Sequence, residues 1–85
     1  MKYYVTVVIT DNRFTHESDA DIRVLWKTAI TIMKCAKRHG YKARYIVKDF
    51  TTGDTLFWMY CRKLKGEWHA RLNNTGKYGR RHLEI

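Results

Sequence analysis

The chain has 85 residues, 45% of them hydrophobic and 14% aromatic, with no proline and a formal net charge of +9. That length admits one domain with a small core, and that composition excludes a disordered chain. Two cysteines exclude a disulfide framework, and a cation excess this dense repels itself, so a polyanionic partner is expected.

Residues 1–21 carry two cations against four carboxylates, and residues 22–85 carry fifteen against four. Residues 2–10 (KYYVTVVIT) are β-branched and aromatic and predict a strand, central because both of its faces are apolar. The apolar run ends at Asp11 without a small-residue cleavage site, which argues against a signal peptide. No stretch reaches membrane-spanning length. The chain therefore reads as soluble, cytoplasmic and reduced, with no membrane contact. Residues 11–18 (DNRFTHES) read as a polar connection.

Ser18, Asp19 and Asp21 supply a helix start, with acids expected in the first turn. The helix is predicted from about Ala20 to His39, with Ile22, Leu25, Trp26, Ala29, Ile32, Met33 and Ala36 on its apolar face. Gly40 stands where a left-handed C-cap is required. Residues 41–50 and 55–63 read as strands joined by Thr51-Thr52-Gly53-Asp54, a hairpin signal. Lys65-Gly66 reads as a turn, and residues 67–72 (EWHARL) fit either a fourth strand or one helical turn. Residues 73–82 look like a loop, and Leu83-Glu84-Ile85 either docks back or frays. The fold expected is an α+β, β-α-β-β domain. One amphipathic helix packs on a three- to four-stranded antiparallel sheet. Residues 1–75 form that single domain, and residues 76–85 form a basic, flexible C-terminal tail.

The helix carries the first candidate site. Arg23, Lys27, Lys34 and Arg38 fall at i, i+4, i+11 and i+15, within roughly 60° of one another on a helical wheel, and Lys37 flanks them. No carboxylate stands between Asp21 and Asp49 to lace this face with ion pairs. With Arg62, Lys63 and Lys65, and with Lys77, Tyr78, Arg80 and Arg81 of the tail, these residues form a candidate nucleic-acid surface. Lys42, Arg44 and Lys48 are further cations on the hairpin. Dispersed cations replace condensed counterions, and arginine forks match phosphate geometry. Tyr78, and a hairpin ring such as Tyr41 or Tyr45, would stack on bases. The chain shows no helix-turn-helix and no zinc-finger spacing, which favours RNA over DNA. A basic face kept for solubility is the plain alternative.

Two other constellations carry chemistry. If residues 67–72 form a strand, Glu67, His69 and Arg71 share one face: a base, an acid and a cationic clamp, as metal-free RNA cleavage requires. Cys35, His39, Cys61 and His69 are zinc-ligand types at a spacing that matches no finger, so no metal or cofactor is expected. An acidic protein could also occupy a basic surface, and an exposed sheet edge could pair two chains into a homo-oligomer.

In its size, its lack of proline, its charge and its tail (Lys77, Tyr78, Arg80, Arg81), the chain resembles small basic proteins that bacteriophages express to disarm host defences. Within that group it is most similar to RNA-binding inhibitors of toxin–antitoxin ribonucleases. The resemblance spreads over the whole chain and transfers no residue role. It implies a non-enzymatic, antitoxin-like inhibitor that acts with RNA on a host ribonuclease in the host-cell cytoplasm.

Overall fold

The computed structural model describes residues 1–73 and 82–85. Among them the order is β1 (Tyr3–Ile9), β2 (Asn12–Ser18), α1 (Ile22–His39), β3 (Ala43–Asp49), β4 (Thr55–Leu64), β5 (Glu67–Asn73) and β6 (His82–Glu84). The strands form one antiparallel sheet in the order β2-β1-β3-β4-β5-β6. The α+β class, the single helix and the antiparallel sheet agree with the sequence. The strand number rises from three or four to six, because residues 12–18 and 82–84 also pair. Residues 74–81, and with them Lys77, Tyr78, Arg80 and Arg81, lie outside the described residues.

Residues 12–18 are the main correction. Rather than a polar connection they form β2, paired with β1 from Tyr3↔Ser18 to Ile9↔Asn12. The two-residue loop Thr10-Asp11 turns the chain, with Thr10 at φ 56°. As an edge strand β2 is mostly exposed, so it lacks the apolar alternation that marks a half-buried strand. Residues 67–72 resolve in favour of the strand β5. Lys65 and Gly66 connect it to β4 with φ 53° and 83°, the left-handed pair that a type I′ hairpin turn demands.

The helix starts later than expected, at Ile22. Asp21 is its N-cap, its Oδ1 accepting from the Arg23 N–H at 2.8 Å, so the acids precede the first turn instead of filling it. That hydrogen bond holds the Asp21 carboxyl below the usual carboxylate range. At the other end Gly40 adopts φ 73°, and the N–H groups of Gly40 and Tyr41 both donate to the Ala36 carbonyl, at 2.8 and 3.1 Å.

The helix packs on β3, β4 and β5. Leu25, Ala29, Met33 and Ala36 bury against Val5, Tyr45, Val47, Phe57, Met59, Cys61, Ala70 and Leu72. A register shift at Val47/Lys48 places Leu56 and Phe57, neighbours in sequence, both in the core. β1 lies inside the sheet, between β2 and β3, but its composition, apolar on both faces, overstates its burial. Only one of its faces is covered, because one helix serves one side of the sheet: Tyr3 and Val5 are buried, while Tyr4 is exposed. Among the described residues, no helix is long and apolar enough to cross a membrane.

Candidate nucleic-acid interface

With the helix on one side, the other side of the sheet is left open among the described residues. Side chains alternate along each strand, and the register aligns the open-side residues in rows. Val8 faces Arg13 on β2 and Arg44 on β3; Arg44 faces Tyr60 on β4, and Tyr60 faces Arg71 on β5. In the next row Arg62 faces His69. A groove of about 550 Å³ crosses this side, lined by Val8, Thr10, Arg13, Lys42, Arg44, Trp58, Tyr60 and Arg62 among others. Among the described residues none that lines it is acidic.

Rings and guanidinium groups interleave on its floor. Trp58 and Tyr60, two residues apart on β4, have centroids 5.2 Å apart. The Arg44 guanidinium lies 5.8 Å from the Trp58 ring centroid and that of Arg62 lies 5.2 Å from the Tyr60 ring centroid. A guanidinium over an aromatic face is attracted to the ring and can still offer N–H groups to an anion. The groove thus presents flat apolar ring faces beside guanidinium groups.

Along β5 the open side changes character. Arg71 Nε donates to Glu84 Oε1 at 2.6 Å. That bond holds the Glu84 carboxyl below the usual range, and Arg71 is raised by Glu84 and then by the Tyr60 hydroxyl. His69 sits between two carboxylates, with Nε2 3.9 Å from Glu67 Oε2 and Nδ1 3.7 Å from Glu84 Oε1. Glu67, His69 and Arg71 therefore share a face, and Glu84 joins them from β6.

The helix stripe is exposed as its spacing requires: Arg23, Lys27, Lys34, Lys37 and Arg38 all face solvent. Arg23 is tied to Asp21, and Lys37 Nζ donates to the Ile85 carbonyl at 3.1 Å. Among the described residues Lys27, Lys34 and Arg38 have no carboxylate within salt-bridge distance. This stripe lies on the side of the sheet opposite the groove, so the two are separate surfaces. Arg62 belongs to the groove. Lys63 faces Trp68 at the end of β4, and Lys65 sits in the following turn.

The rings on the open side differ from those expected on the hairpin. Tyr45 is 2% exposed, because the register of β3 points it at the helix, and burial pushes its hydroxyl pKa up. Tyr41 packs against the core, and the neighbouring Cys35 pushes its hydroxyl pKa up. Trp58 and Tyr60 take that place, with Arg13, Lys42 and Arg44. Their signal in the sequence is the alternation Trp58-x-Tyr60-x-Arg62, which acquires meaning only once the helix side is known. The zinc-type residues do not assemble: Cys35 is exposed, Cys61 is buried, and among the described residues no three of His, Cys, Asp or Glu converge.

Comparison with protein families, characterised proteins and solved structures finds no match for this chain.

Proposed function

We propose that this protein binds RNA, as an unstacked single strand, on the open side of its sheet. The observation that carries this reading is the groove in which Arg13, Lys42, Arg44 and Arg62 surround Trp58 and Tyr60 without a carboxylate. Single-stranded RNA presents splayed bases to such a platform, whereas a duplex keeps its bases stacked inside. The helix stripe adds a long-range positive field on the far side.

The two basic surfaces make opposite demands. Charge reversal of the groove (Arg44→Glu with Arg62→Glu) is expected to weaken binding of a short single-stranded RNA by at least tenfold at low salt. It should also flatten the salt dependence by about 0.7 in slope for each phosphate no longer neutralised. Reversal on the helix (Lys27→Glu with Lys34→Glu) should weaken binding only a few-fold. Titration of labelled RNA at several salt concentrations reads both, and a larger effect from the helix pair sinks the groove. Competition with single-stranded DNA of the same sequence tests the choice of RNA.

The phage resemblance adds a host toxin ribonuclease as the protein partner. A pull-down with that enzyme, with and without prior nuclease treatment, separates RNA-dependent inhibition from docking on an acidic protein surface.

A second reading, a metal-independent ribonuclease, is favoured by Glu67 and His69 at 3.9 Å beside Arg71. Glu67 would take the proton of a 2′-hydroxyl whose oxygen attacks phosphorus. Protonated His69 would give a proton to the departing 5′-oxygen, and Arg71 would hold the phosphoryl oxygens. Arg62 faces His69, so a strand in the groove would pass this site. This reading expects RNA to be degraded in EDTA and His69→Ala to abolish the degradation. Intact RNA after prolonged incubation removes it.

A further inference from the structure

β2 is an uncovered edge. Among the described residues no strand pairs with its outer side, and the helix packs on β3, β4 and β5 rather than over β1 and β2. Pairing with β1 runs without a bulge, and β2 contains no proline, so two common protections of an edge are missing. Phe14 on this strand is 59% exposed.

The backbone phase of that edge can be worked out. The Thr10 N–H donates to the Lys42 carbonyl at 2.8 Å, and the Phe50 N–H to the Lys2 carbonyl at 3.1 Å. Even-numbered residues of the β1 segment therefore exchange backbone bonds with β3, and odd-numbered residues exchange them with β2. Tyr3, Val5, Val7 and Ile9 face Ser18, His16, Phe14 and Asn12. The other three β2 residues, Arg13, Thr15 and Glu17, turn their N–H and C=O groups outward.

We propose that the protein forms a two-fold dimer through β2, paired antiparallel with β2 of a second copy and centred on Thr15. Centring on Thr15 aligns all seven residues of the strand. It sets Thr15 against Thr15 and Arg13 against Glu17, so every outward backbone group meets another. The same alignment places the Arg13 guanidinium beside the Glu17 carboxylate of the second copy, twice by symmetry. Arg13 has no carboxylate partner among the described residues, and Glu17 has Lys2 at 3.6 Å. On the helix side, Phe14 falls beside His16 of the second copy. A slide of one residue breaks the hydrogen-bond phase. A slide of two sets Arg13 against Thr15, shortens the ladder and loses the charge match.

The dimer is one continuous sheet. Residues directly opposite in an antiparallel pair share a face, so both open grooves look the same way. Their β4 strands stand roughly 34 Å apart at ordinary strand spacing. The proposal does not depend on RNA binding.

The test is the mass in solution of nuclease-treated protein at moderate salt, by light scattering or sedimentation across a concentration series. The expected result is a species of twice the 10.2 kDa chain mass. Thr15→Pro removes an outward N–H without touching the β1 ladder and should yield monomer with an unchanged circular dichroism spectrum. Arg13→Glu or Glu17→Arg alone should raise the dissociation constant about five- to tenfold, and the two together should restore it. The charge-swap pair keeps the proposal falsifiable if the proline variant misfolds. Monomer at millimolar concentration overturns it, as does a dimer indifferent to these changes or one the double swap does not rescue.

Discussion

Replacing Trp58 and Tyr60 together by alanine is expected to lower affinity for single-stranded RNA by at least about thirtyfold. Alanine substitution of a base-stacking ring costs about 1–3 kcal/mol, and 1.4 kcal/mol is a factor of ten. Two rings 5.2 Å apart offer stacking for successive bases. The loss has a second part, since Arg44 and Arg62 lie over these rings. Without the rings both guanidinium groups regain rotamer freedom and must be ordered again by the ligand. The salt dependence should stay nearly constant, because no charge is removed; this separates the ring variant from the groove charge reversal, which lowers the slope. Trp58→Phe with Tyr60→Phe should keep most of the affinity, because the flat faces survive. Both rings stand outside the buried core, so circular dichroism should be unaltered. Affinity unchanged by the double alanine substitution would remove the platform from the binding reading.

The largest stability effect is expected at Gly40. Substitution by alanine forces a Cβ into the left-handed region at φ 73°, which costs about 1–2 kcal/mol. That Cβ would also stand 2.9 Å from Trp68 Nε1 and 3.4 Å from Trp68 Cδ1. The indole is half-buried between the end of the helix and β5, so it cannot swing away freely, and overpacking adds about 1–3 kcal/mol. Together these are a large part of the stability of a small domain. Gly53 is the internal control, with φ 76° and nothing within 4 Å of its would-be Cβ. Gly53→Ala should therefore show the backbone cost alone. Urea denaturation reads both variants as a shift of midpoint at constant slope. Trp68→Leu in the Gly40→Ala background should recover part of the difference. Equal losses at Gly40 and Gly53 would show that Trp68 gives way.

Local signals were legible wherever a residue's own chemistry decides its conformation. The spacing of Leu25, Ala29, Met33 and Ala36 marked the buried face of α1, and Gly40 marked its end. The hairpin link at Gly53 and the turn at Lys65-Gly66 were readable for the same reason: left-handed backbone is costly for other residues. The exposure of Lys27, Lys34 and Arg38 followed from the apolar face opposite them. β2 was not legible. Asn12 to Ser18 form a strand because β1 offers them a ladder, and no pattern in seven mostly exposed residues announces that.

The candidate site divides in the same way. The sequence by itself determined that this protein is basic, that its helix carries cations outward, and that Glu67, His69 and Arg71 would share a face if their segment were extended. Composition and periodicity act within a segment, so they reach that far. Only the tertiary structure decided that Arg13, Lys42, Arg44 and Arg62, drawn from three separate stretches, surround Trp58 and Tyr60 in one groove. It also decided that Tyr45 is core and that the helix stripe and the groove lie on opposite sides of the sheet. The reason is the single helix: it covers one side of the sheet, and register alone assigns every strand residue to the covered side or the open one.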